Sequence, residues 1–148
     1  MAGPALTVKS RPGDNLMLHK AIDMAEPGDI IVCDAGGDLT NSLMGELMLA
    51  HAMKRGVGGF VLDGAVRDVE AFLDVNLPVF AAGVSHRGPY KDGPGEINVS
   101  VAIDGMVIEP GDLVIGDWDG VLSIPLDDVD SILKKTNEKQ AAEAVDMA

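Results

Sequence analysis

Residues 26–34 read EPGDIIVCD, and residues 109–117 read EPGDLVIGD. In both, Pro and then Gly fill the second and third places of a tetrapeptide. That pairing suits a type II turn, whose third residue needs φ > 0. An apolar run of strand length follows each turn, IIVC in one and LVI in the other. A short apolar run bounded by a turn predicts a buried strand. The shared tetrapeptide is too short to establish a duplicated domain. It is one local solution used twice.

Working outward, further strands are expected at 5–8, 59–62, 79–82, 97–103 and 121–124. The 97–103 segment alternates apolar and polar residues, as a half-exposed strand does. Three segments have helical character. The first spans about 15–25, with Asp14 placed to cap it. The second spans about 43–54, with Met44, Leu47, Met48 and His51 on one face and basic residues before Gly56. The third runs from about 126 to the C-terminus. Helices and strands alternate through residue 82, and strands dominate afterwards. That order predicts an α/β domain whose first half is built from crossover units. Asp117-Trp118-Asp119-Gly120 carries an Asp-Gly pair and predicts a hairpin between LVIG and VLSI.

With 148 residues the chain suits one domain, and 47% hydrophobic residues suffice for a packed core. Aromatics are only 3%, so that core must come from Val, Ile, Leu, Met and Ala. The net charge of −13 argues against direct nucleic-acid binding and favours cations near clustered carboxylates. Cys33 is the only cysteine, within an apolar run, and reads as buried filler. No stretch approaches the ~18 apolar residues of a membrane span. The start lacks a basic-then-apolar signal pattern, so the cytoplasm is the expected compartment.

Two places carry candidate chemistry. A polar, glycine-bearing segment, 36–42, leads into Gly45-Glu46-Leu47-Met48. A helix beginning at Gly45 would leave the amides of Glu46, Leu47 and Met48 unpaired, a ready site for carboxylate or phosphate. Pattern alone favours an earlier cap at Asn41 or Ser42. The second place is Arg67-Asp68, at the end of an apolar run and separated from Glu46 by 20 residues. A helix and a return strand fill that interval and can bring both ends to one sheet edge. Glu46, Arg67 and Asp68 would then share a crevice suited to Mg²⁺, which takes one or two carboxylates and keeps waters. The guanidinium would offer a planar fork for a carboxylate or a developing enolate. The plainer alternative is that Asp68 caps the next helix and Arg67 pairs with it at the surface, worth under about 1 kcal/mol. His19, His51 and His86 show no metal-ligand spacing. His51 reads as a core histidine, and His86 as a surface residue of the 83–96 loop.

These residues resemble the RraA-like family, which includes the 4-hydroxy-4-methyl-2-oxoglutarate aldolases. The likeness runs through GPALTV, GDNLMLHKAI, PGDIIVCDAGGD, GELM, RGVGGFVLDGAVRD, GPGEIN and PGDLVIGDWDGVLSIP. The acid-x20-Arg-Asp spacing is its specific part. The resemblance implies a swivelling β/β/α domain over 1–148, assembled as homotrimers or hexamers, with sites between subunits. Family members usually carry several dozen residues before the point matching Gly3-Pro4, so a family-typical N-terminal segment is expected to be missing here.

By the same resemblance, Asp68 would bind Mg²⁺ or Mn²⁺ and Glu46 would hold its waters. The amides of Leu47 and Met48, next to Gly45, would hold a pyruvyl carboxylate. Arg67 would steady the oxygen that becomes an enolate. A neighbouring subunit's C-terminal helix would add an acid, Glu143, with Glu138 as alternate. The implied activity is metal-dependent cleavage of a C–C bond in a 2-oxo acid, by aldol cleavage or by oxaloacetate decarboxylation. The competing implication is a non-catalytic regulator that binds a ribonuclease or another protein, as the family's namesake does. No membrane partner is expected.

Overall fold

The computed structural model describes residues 1–147. Its first half is a run of crossovers: β1 (Ala2–Ser10), α1 (Leu16–Met24), β2 (Ile30–Met44), α2 (Glu46–Arg55), β3 (Gly59–Val66), α3 (Val69–Leu73) and β4 (Val79–Val84). These four strands pair in parallel, each with the next. Then follow β5 (Gly95–Ile97), β6 (Val101–Ile103), β7 (Met106–Ile108), β8 (Leu113–Asp117) and β9 (Gly120–Ile124). A 3₁₀ turn (Leu126–Asp128) leads to α4 (Val129–Asp146). The main sheet runs β4-β3-β2-β1-β8-β9. The free edge of β1 is shared: β8 pairs antiparallel with Ala2–Pro4 and β5 with Val8–Ser10. β6 and β7 form a separate hairpin.

Period-2 alternation divides the core. Ile31, Cys33, Phe60 and Leu62 point towards α1 and α2, where they meet Leu18, Ile22, Leu49 and Ala52. Ile30, Val32 and Val61 point the other way, onto Ala5, Val114 and the β6–β7 residues Val101 and Ile108. The sheet is therefore covered on both faces, which is why its central strands read as continuous apolar runs. Cys33 is fully buried, and that burial pushes its thiol up to about 12.

Both EPGD tetrapeptides form the expected turn. Gly28 (φ 96°) and Gly111 (φ 88°) take the positive φ. The fourth residue's amide donates to the first residue's carbonyl at 3.1 Å in each, Asp29 to Glu26 and Asp112 to Glu109. Each Asp carboxylate returns a bond from the first residue's amide at 2.9 Å. The Asp117–Gly120 hairpin also forms.

The alternating 97–103 segment is not one strand. Asn98 takes φ 58°, so β5 ends at Ile97 and β6 starts afresh at Val101. β7 was not anticipated, although Asp104-Gly105 (φ 49° and 82°) is the I′ signal that builds its hairpin. Among the described residues, no helix is long and apolar enough to cross a membrane.

Candidate active site

β2 has 15 residues, and only its first third pairs regularly. Ile30 to Asp34 match Gly59 to Asp63 one for one. Beyond that, Asp38 faces Gly64, Ser42 faces Ala65 and Met44 faces Val66, with a register shift at each step. Gly36 and Gly37, both at φ 68°, turn the surplus residues out of the ladder. The excursion ends with Met44 opposite Val66, and the Arg67 amide donates to the Met44 carbonyl at 2.9 Å. Gly45-Glu46 and Arg67-Asp68 thereby become neighbours.

Gly45 is the N-cap residue of α2, so the expected earlier cap does not form. Ser42 and Asn41 are engaged elsewhere: the Ser42 hydroxyl donates to the Arg87 carbonyl (3.0 Å) and the Asn41 amide to the Gly88 carbonyl. The backbone of Gly45 is extended (φ −145°), so its φ does not demand glycine. Space does. A Cβ there would lie 2.5 Å from Asp68 Oδ2 and 3.1 Å from Arg67 Cγ.

Asp68 occupies the left-handed region (φ 57°, ψ 42°) at the N-cap position of α3, yet its side chain caps nothing in that helix. Oδ2 instead accepts from the Glu46 amide at 3.0 Å and lies 3.9 Å from Arg67 Nε. The expectation that Asp68 caps the following helix is thus corrected. The two side chains are 44% and 47% exposed, where an ion pair stabilises by less than about 1 kcal/mol. A left-handed non-glycine residue costs on the order of 1–3 kcal/mol. The ion pair alone does not offset that strain, and the bond from the Glu46 amide to Oδ2 helps to hold the residue there.

The helical ladder of α2 begins with the Leu49 amide bonded to the Gly45 carbonyl at 3.0 Å. The Glu46 amide goes to Asp68, so the Leu47 and Met48 amides form the open end. Leu47 is 87% exposed there, whereas Met48 is buried. Two clefts meet at this point. A small one, about 190 Å³, is lined by Asn15, His19, Gly45, Arg67, Pro89 and Lys91, among others. A larger open one, about 910 Å³, lies between α2 and α3 and includes Val84 and His86. Glu46, Arg67 and Asp68 border both.

Asn15, His19 and Lys91 were not anticipated as site residues. Asn15 Nδ2 donates to the Leu43 carbonyl at 2.9 Å, while its buried Oδ1 has no partner. His19 Nε2 is also buried without a partner. Burial first, and then the Lys91 charge, hold the His19 pKa below its ordinary value. Their one sequence signal is Asn15 and His19 standing one turn apart at the start of α1. His51 is corrected: it is half-exposed, with Nε2 3.4 Å from Asp23 Oδ1, and is not a core residue. Glu143 is exposed on α4 and pairs with Lys139 at 3.5 Å. Neither Glu143 nor Glu138 borders either of these two clefts.

No three His, Cys, Asp or Glu side chains converge as a metal cage among the described residues. Asp68 and Glu46 both border the two clefts, and their carboxylates are hard oxygen donors. That set fits Mg²⁺ or Mn²⁺ carrying most of its shell as water, and does not fit a closed zinc site.

Residues 1–123 match the family model RraA-like, described as Aldolase/RraA. The chain belongs to the RraA-like family. A relative from Halalkalibacterium halodurans, named "Putative 4-hydroxy-4-methyl-2-oxoglutarate aldolase", is 45% identical over 141 residues, which is 95% of this chain and 67% of that protein. Among solved RraA-like structures, the RNA-processing inhibitor RraA from Thermus thermophilis superposes with a TM-score of 0.80 at 31% identity, covering 84% of this chain and 75% of that one. RraAS2 of Streptomyces coelicolor, described as an unusual member of the RNase ES inhibitor RraA family, gives 0.91 at 25% identity, covering 100% and 76%. The RraA-like relatives thus carry both aldolase and RNA-processing or RNase-inhibitor names.

Proposed function

We propose that this RraA-like protein is a divalent-metal-dependent lyase. It cleaves a C–C bond of a 2-oxo acid through a pyruvate enolate, acting on 4-hydroxy-4-methyl-2-oxoglutarate, oxaloacetate or both. The observation that carries this is the seating of Asp68 against the open end of α2, with the Arg67 guanidinium alongside.

The substrate's 1-carboxylate binds at the Leu47 and Met48 amides, whose N–H groups and helix dipole favour an anion. Arg67 donates to the 2-oxo oxygen and strengthens that bond as charge gathers there. Asp68 would hold Mg²⁺ or Mn²⁺, which would supply Lewis-acid polarisation of the 2-oxo group. In aldol cleavage the 4-hydroxyl loses its proton, the C3–C4 bond breaks, and its electron pair passes to the 2-oxo oxygen. A proton added at C3 then gives pyruvate. In decarboxylation the same bond releases CO₂. Glu46 carries protons at its carboxylate, aided by Glu143 or Glu138 of a neighbouring copy in a trimer or hexamer. The outward position of α4 on its own chain suits that role.

The test is pyruvate release from each substrate with and without Mg²⁺. Metal-dependent release supports the reading, and none from either substrate removes it. A second reading, a protein-binding regulator, is favoured by the likeness to the Thermus inhibitor and by the −13 charge, which suits a basic partner.

A further inference from the structure

Between β4 and β5, residues 85–94 cross the site as a strap. Almost all of its side chains are exposed or half-exposed, so hydrophobic packing does not hold it down. Its backbone is held by polar bonds. At one end, the Ser42 amide (2.8 Å) and hydroxyl (3.0 Å) donate to the Arg87 carbonyl, and Asn41 donates to the Gly88 carbonyl. At the other end, Tyr90 exchanges bonds with Gly13 and Asn15 (2.9 and 3.0 Å). There too, the Asp92 and Gly93 amides donate to Asp14 Oδ2 at 2.8 and 2.9 Å.

Asp14 is fully buried. Its other oxygen accepts from the Leu16 amide at 2.9 Å, and Arg11 reaches Oδ2 at 3.4 Å while lying over the Tyr90 ring at 5.2 Å. Burial alone would raise its pKa, but the Leu16, Asp92 and Gly93 amides and Arg11 outweigh it and leave the pKa lowered. The buried carboxylate is therefore a fully bonded anchor. The strap matters to the site because Gly88 runs beside Arg67. A Cβ at Gly88 would lie 3.7 Å from Arg67 Nη1. Pro89 and Lys91 line the small cleft, and His86 the large one.

We propose that Asp14 is a positioning residue: it seats the 85–94 strap, and through the strap the guanidinium of Arg67. Its kinetic consequence rests on the lyase reading, but its structural consequence does not. Asp14→Asn keeps an oxygen for Asp92 and Gly93 but turns an NH₂ towards the Leu16 amide, so one set of bonds must fail. Arg11→Ala removes only a half-exposed partner and spares the buried acceptors.

The experiment follows strap amide exchange and the Arg67 Nε–H resonance in the protein alone, and KM and kcat for oxaloacetate with Mg²⁺. Asp14→Asn should speed exchange at Asp92 and Gly93 by about tenfold or more. It should also shift the Arg67 resonance and lower kcat and kcat/KM together by about tenfold, since the Arg67 bond strengthens as charge gathers on the 2-oxo oxygen. Arg11→Ala should act in the same direction with smaller size, and it decides the matter alone if Asp14→Asn does not fold. An unmoved Arg67 resonance, or a rise in KM with kcat unchanged, overturns the proposal. A parent protein without turnover removes the lyase reading, and the Arg67 resonance then decides the positioning role.

Discussion

The two parts of β2 follow different rules. Ile30–Asp34 pairs rung for rung with β3, and its apolar residues are fully buried. Residues 35–44 lose register three times over the same neighbour and carry the glycines, the polar side chains and the approach to Gly45. The first part makes the core and the second makes the site. A continuous apolar run bounded by a turn specifies the former. The latter depends on how much surplus chain is turned out before the ladder closes again at Met44 and Val66.

Substitutions in the two parts should therefore fail differently. The largest stability effect belongs to Ile31→Ala in the regular part, where a fully buried side chain is lost. It should cost about 2–5 kcal/mol, read as a lower urea midpoint, with turnover per folded molecule retained. Gly45→Ala should do the reverse. Its Cβ meets Asp68 Oδ2, so the carboxylate must shift. Stability should fall by about 1–3 kcal/mol at most, whereas turnover should fall by about 100-fold. Equal losses in both assays for both variants would erase the distinction.

The same division explains what was legible in advance. The crossover half, the twin turns and the Asp117–Gly120 hairpin are set by local pattern, and all were readable. The start of α2 was not, because Asn41 and Ser42 look like caps until their partners appear at Arg87 and Gly88. Those partners stand far along the chain and leave no local signature. The break at Asn98 was hidden for a related reason: alternation continues through it, while its positive φ does not show in polarity. The spacing allowed Glu46, Arg67 and Asp68 to converge but did not decide it against a plain surface pairing, and the family resemblance was what favoured it. Asn15, His19 and Lys91 were not readable, since their meeting depends on where the strap crosses.

The smallest effect is expected at the boundary. Asp63 faces Asp34 on the last regular rung. Its pKa is raised, first by burial and then by the Asp34 and Asp104 charges, against the opposing bond from the Gly37 amide. The folded state therefore binds this proton more tightly than the unfolded state does. Its stabilising effect is fully present below the ordinary carboxylate value and is lost as pH rises through the folded value. Asp63→Asn should raise Tm near neutral pH by about a degree or two and abolish the relative gain in Tm that this group gives the parent on acidification. A lowered Tm at pH 7 would show that the Asp63 charge is needed for folding.

On the proposed lyase reading, Asp68 is held at φ 57° for chemistry rather than for stability. Asp68→Gly tests it most directly, because glycine adopts φ 57° without strain and removes only the carboxylate. The measurement is Mg²⁺-dependent pyruvate release beside the thermal midpoint of the same preparation. The midpoint should stay within about 5 °C of the parent, with no metal-dependent release. A folded Asp68→Gly protein that releases pyruvate at the parental rate would contradict that reading.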